Sequence, residues 1–222
     1  MFEKLREKLK RVRLEPVAYD PSPLGDEVAA RTAWTPAKSG GASFNTHLLT
    51  LGPARAEFRA TKGAWAFYLA FFVTGVVTLI GSSVAIVLGF RSDLDAWFMI
   101  FLPFLVGGVF TVAGGFMLYH GAAPIVFDKQ RGEYWKGRAS PADAGAHRAV
   151  KQHARLDRIH ALQMVAELCT SDDSSYYSYE LNLVLKDATR LNVIDHGRLD
   201  ELRRDADALA RFLDKPLWDA TS

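Results

Sequence analysis

The chain has 222 residues, is 49% hydrophobic and carries a formal net charge of +2, with a mean hydropathy of zero. Its single cysteine, Cys169, excludes an intrachain disulfide and fits a reducing compartment. The zero average conceals an apolar centre between two polar flanks, a length suited to a membrane hairpin plus one soluble domain.

Residues 1–13, MFEKLREKLKRVR, read as a short basic amphipathic helix, with Phe2, Leu5, Leu9 and Val12 on one face. Such a helix suits an anionic leaflet, or docking on its own domain or a partner. It lacks the pattern of a signal peptide. Residues 14–43 contain Pro16, Pro21, Pro23 and Pro36 with Gly25, Gly40 and Gly41, and read as linker, with room for a helical turn or two in GDEVAARTAW. Trp34 stands out there as an isolated large apolar residue. Residues 44–62 predict a β-hairpin, 44–51 and 54–61, turned at Gly52-Pro53.

Two apolar runs follow, 64–90 and 96–121, separated by RSDLD at 91–95. Neither contains Asp, Glu, Lys or Arg, and each exceeds the about 20 residues that cross a ~30 Å hydrocarbon layer. They predict a transmembrane helical hairpin. Of the 27 Lys and Arg, eleven precede residue 64, fifteen follow residue 121 and only Arg91 lies between. That asymmetry places both termini in the cytoplasm. Within the hairpin, Thr74, Thr78 and Ser82 recur every fourth residue, as do Gly107, Thr111 and Gly115. Stripes of small residues let helices approach closely, so these six are the candidate helix-packing residues, and a self-association face or a conducting path is the alternative use of the stripe. The absence of intramembrane charge removes the usual mark of a transport path.

After residue 121 the period changes to two. Strands are predicted at 123–128, 133–137, 156–170, 177–185 and 190–195, with 138–156 as a loop or poor helix. Tyr177, Tyr179, Leu181, Leu183 and Leu185 alternate with Ser178, Glu180 and Asn182. A helix at 198–213 carries Leu199, Leu202, Ala206, Leu209, Phe212 and Leu213 on one stripe, and Pro216 bars its continuation. The predicted fold is therefore α+β: a two-helix transmembrane hairpin inserted between 44–62 and 122–215 of one small antiparallel β domain, capped by the C-terminal helix.

Chemistry is sparse. His147, His153 and His160 are spaced six and seven apart, not the three or four of a helical zinc pair. Asp172-Asp173 lacks the rest of a calcium loop. No phosphate loop, nucleotide fingerprint or nucleophile elbow occurs. No enzyme activity, metal, cofactor or nucleic-acid partner is expected. Lys129, Arg131, Lys136 and Arg138 cluster in sequence beside the membrane, and are the candidate contacts to lipid head groups; plain positive-inside bias is the favoured explanation.

Seven antiparallel strands closed by a final helix resemble a pleckstrin-homology-like barrel, here split by the hairpin. More distantly, MLYHGAAPIVFDKQRGEYWKG at 117–137 is similar in cadence to the photosystem I assembly factors with two membrane helices. Both resemblances imply a scaffold. The resulting expectation is a bacterial inner-membrane scaffold or assembly module whose cytosolic β domain binds a protein partner or lipid head groups; the alternative is an oligomeric channel or transporter subunit.

Overall fold

A computed structural model describes residues 19–38, 40, 41, 45–87, 94–141, 150–170 and 175–221. The amphipathic helix at 1–13, most of the 91–95 connection, His147 and Asp172-Asp173 lie outside the described residues. The chain forms two compact units, 45–156 and 1–44 with 157–222. The architecture is α+β, with two long apolar helices and two sheets.

In the first unit, β1 (His47–Leu51) and β2 (Arg55–Ala60) precede α2 (Lys62–Val87) and α3 (Leu94–Phe116), and β3 (Ile125–Asp128), β4 (Glu133–Gly137) and β5 (Val150–Arg155) follow them. The sheet order is β1-β2-β3-β4-β5. β2 pairs with β3 directly, Phe58 opposite Ile125 and Ala56 opposite Phe127, so the helix pair is the connection of a β-hairpin. Residues opposite each other share a face. Ala56, Phe58, Ile125, Phe127 and Tyr134 make one apolar row, fully buried. β5 occupies residues read from sequence as loop; its polar VKQHAR suits an edge strand.

The two helices are long and apolar enough to cross a membrane. Their outer faces stay apolar: Val77, Val112 and Val87 are 62%, 73% and 83% exposed. After Phe116 the second helix widens into a π-helical turn, Met117–Gly121, where the Ala122 amide reaches back five residues to the Met117 carbonyl at 3.2 Å.

In the second unit, α1 (Glu27–Arg31) is capped by Asp26, whose Oδ1 accepts from the amides of Val28 and Ala29 at 2.8 and 3.1 Å. A four-stranded sheet has the order β8-β7-β6-β9, from β6 (Ile159–Thr170), β7 (Ser175–Leu185), β8 (Arg190–His196) and β9 (Leu217–Ala220), with α4 (Leu199–Leu213) between β8 and β9. α4 packs on β6, β7 and β9. Arg203 of α4 donates to Asp219 at 2.8 Å, and Asp219 pairs with Met164. Leu162, Met164, Leu181 and Leu183 therefore face Leu202, Ala206, Leu209 and Leu213, all buried.

The strands do not close into the predicted barrel. They form two sheets, and the physical reason lies at the C-terminus. β9, which sequence alternation does not show in only four residues, takes the edge of β6 in parallel. The closing helix thus covers the second sheet, not a sheet shared with 44–62.

Candidate functional site

Two surfaces gather polar groups. The first is the foot of the helix pair. Thr61 Oγ1 accepts from the Ala64 amide at 3.0 Å, capping α2, and donates to the Asn45 carbonyl at 3.2 Å. His47 Nε2 lies 3.2 Å from the Ala123 carbonyl oxygen. Ala64, Tyr68 and Ala122 form a small buried cluster there. Arg138 completes the foot. Its Nη2 and Nε donate to the carbonyls of Leu118 and Tyr119 at 2.7 and 3.1 Å, and its guanidinium sits over the Tyr119 ring at 5.5 Å. The last carbonyls of a helix have no partner within it, and a cation there also meets the negative end of its dipole. Arg138 reaches them because a bulge between Lys136 and Gly137, with Gly137 at φ 148°, redirects the chain.

This geometry separates the four basic residues that are neighbours in sequence. Lys129 and Arg131 sit in the β3–β4 turn, where the Lys129 amide bonds the Ala54 carbonyl of the β1–β2 turn at 2.8 Å. That end of the sheet is a strand length from the helices, about 13 Å at about 3.3 Å per residue. Arg131 bonds Ser140 Oγ. Lys136 and Arg138 are at the helix end, so the four do not make one head-group patch. Arg55 and Arg59 both pair with Glu57, at 2.5 and 2.6 Å.

Between α2 and α3 the seam is built from glycines. A Cβ on Gly75 would lie 2.3 Å from the Thr111 amide nitrogen, one on Gly107 3.0 Å from the Leu79 amide nitrogen, and one on Gly114 2.4 Å from the Phe72 amide nitrogen. Gly107, Thr111 and the buried Ser82 are on the seam side, whereas Thr74 is exposed and Thr78 half-buried. Gly115 makes only ordinary contact with Phe72. On α2 the seam follows Phe72, Gly75 and Leu79, offset from the hydroxyl stripe. The hydroxyls of Thr78, Ser82 and Thr111 each donate to the carbonyl four residues back, at 2.8 Å, within their own helix.

The second surface is the other face of the β6–β7 sheet. Ser178, Glu180, Asn182 and Gln163 alternate like a solvent face, yet all four are fully buried. Residues 33–38, 40 and 41, read from sequence as linker, lie across them as a strap. Glu180 accepts from the amides of Ala37 and Lys38, both at 2.8 Å, and from Asn182 Nδ2 at 3.1 Å. Glu167 accepts from the amides of Gly40 and Gly41 at 3.2 and 3.3 Å. Gln163 Nε2 donates to the Ala33 carbonyl at 3.0 Å and Arg190 Nη1 to the Thr35 carbonyl at 2.6 Å. Burial lowers the pKa of Arg190, against the opposing pull of Glu180. Trp34 packs between Tyr19 and Trp218, centroids 4.4 and 5.7 Å away. His160 bonds Asp26 at 2.7 Å, and His153 pairs with Glu133 at 3.4 Å. The described histidines of the spaced set thus go to different carboxylates. Burial works against the charge of Asp26, but the bonds from His160, Ala29 and Val28 outweigh it and lower its pKa.

Compared with family models, curated proteins and solved structures, the chain gives no significant match.

Proposed function

We propose that this chain is a non-enzymatic bacterial inner-membrane scaffold or assembly module, with both termini cytoplasmic, that holds a protein partner at the leaflet. The observation behind it is the exterior of α2 and α3, largely apolar among the described residues and free of Asp, Glu, Lys and Arg from Gly63 to Val87 and from 101 to 116, with both helices running into one hydrogen-bonded sheet. Water would penalise such a surface at about 25 cal/mol per Å², whereas lipid does not. The dispersal of Lys129, Arg131, Lys136 and Arg138 favours a protein partner over a single lipid head-group site. The glycine seam packs α2 and α3 too closely for a path between them.

Thiol labelling in intact cells tests the orientation. A cysteine at Ser92 should react from outside, and cysteines at Asp20 or Ala220 only after the membrane is breached. Labelling of either terminal site in sealed cells overturns the topology. Selective ion flux through liposomes containing the purified protein overturns the scaffold reading.

A further inference from the structure

The strap at 33–41 is held in an unusual way: the bonds that fix it run to its main chain. Carboxylates of Glu167 and Glu180 take four amides, and Gln163 and Arg190 reach two carbonyls. Tyr176 adds a third, its hydroxyl donating to the Gly41 carbonyl at 3.0 Å. Recognition of this kind ignores most side chains, as when a sheet captures an extended peptide. Among the described strap residues, two are read by side chain. Trp34 packs against Trp218 at one end. At the other, a Cβ on Gly41 would lie 2.0 Å from Ser178 Oγ and 2.5 Å from its Cβ, so only glycine fits.

The face also has an acceptor that the strap leaves unfilled. Asn182 is fully buried, and its Oδ1 meets no hydrogen-bond donor among the described residues. The α4 side of the sheet carries Leu202, Leu209 and Leu213, while the strap face has a smaller cluster of Ala29, Ala161, Val184 and Trp218, on which Trp34 packs. Displacing the strap beyond Trp34 therefore leaves the α4 core and most of that cluster in place.

We propose that this face is a receptor for an extended peptide, occupied in cis by residues 33–41, and that the strap is a latch a partner displaces. The partner it fits is an extended segment with an aromatic residue followed seven positions later by glycine, the spacing of Trp34 and Gly41. This inference rests on the protein-partner reading above, but its test reads peptide capture and is independent of membrane topology.

The test uses the full-length protein in lipid nanodiscs and a labelled synthetic peptide, RTAWTPAKSGG, copied from residues 31–41. In Gly41→Val, the amides of Ala37, Lys38 and Gly40 should exchange with deuterium at least about tenfold faster, while those of β6 and β7 stay protected. The peptide should bind Gly41→Val saturably and the unaltered protein at least about tenfold more weakly, because the cis strap competes at high effective concentration. Adding Glu180→Gln to Gly41→Val should weaken capture about tenfold or more. Trp34→Ala, which loosens the other end without crowding the sheet, should give the same pattern. If strap amides stay protected in both variants, or if β6 and β7 open together with them, there is no latch. If the peptide binds neither variant, or binds the unaltered protein equally well, the face is not a receptor.

Discussion

Nη2 of Arg138 donates to the carbonyl oxygen of Leu118 at 2.7 Å, joining the end of β4 to the π-helical end of the second apolar helix. Its Nε bond to the Tyr119 carbonyl makes the contact a two-pronged cap. Arg138→Ala should destabilise the first unit by about 1 kcal/mol, the upper range for an exposed cation at a helix C-terminus. Arg138→Lys should recover only part, since an ammonium cannot form the fork. Thermal unfolding in detergent measures both; a lysine variant as stable as the original removes the fork argument.

The helix seam yields a sharper contrast. Gly75→Val puts atoms where the Thr111 main chain already lies, and should cost about 1–3 kcal/mol or force the helices apart. Thr74→Val, one position away on an exposed site, should be nearly neutral. Disulfide trapping between cysteines at Leu79 and Gly107 reports the spacing directly. Equal effects at Gly75 and Thr74 would show that the seam is misplaced.

On α4 the buried stripe is Leu202, Ala206, Leu209 and Leu213, while Phe212 is half-buried. Leu209→Ala should cost about 2–5 kcal/mol, and Phe212→Ala less than Leu209→Ala despite the larger side chain. Urea unfolding of the full chain in detergent ranks them. The reverse order would place Phe212 in the core, as its apolar periodicity alone suggests.

Several elements were legible because their side chains repeat. β4 falls on the predicted 133–137, and β7 and α4 fall within a residue or two of the periodic runs. The helix pair follows from length and apolarity. The elements missed are those whose bonding leaves no side-chain period. β9 is four residues, of which only Trp218 is buried, and it pairs in parallel with β6. The strap is fixed through main-chain amides and carbonyls, which any proline- and glycine-rich segment presents equally. Its trace in the sequence was Trp34, the isolated large apolar residue of the linker, which packs on Trp218. The hydroxyl stripe on α2 reaches the seam only at Ser82, since a four-residue repeat drifts around a helix of 3.6 residues per turn and leaves Thr74 exposed, while Gly75 makes the close approach.

His196 gives the second unit a pH dependence whose sign can be worked out. It ends β8, is 1% exposed, and its Nδ1 accepts from the Arg198 amide at 3.0 Å, at the start of α4. The neutral ring therefore carries its proton on Nε2, which finds no hydrogen-bond acceptor among the described residues; Glu201 Oε2 lies 4.0 Å away. Burial lowers the His196 pKa below the ordinary 6.5, more than Glu201, Asp205 and the Arg198 amide raise it; the Arg198 charge adds to the lowering. The unfolded chain thus binds a proton near pH 6.5 that the folded one refuses. Where the unfolded state binds more protons, stability rises with pH. Stability should fall as pH drops from about 6.5 toward the depressed folded value, and flatten below it for this group. Protonation would also set an N–H on Nδ1 against the Arg198 amide and loosen the first turn of α4. His196→Asn keeps an acceptor near the Arg198 amide without a titrating ring, and should flatten the stability profile from about pH 6.5 downward. Denaturant midpoints across that range, for both proteins, decide it; parallel profiles would assign the dependence to other groups.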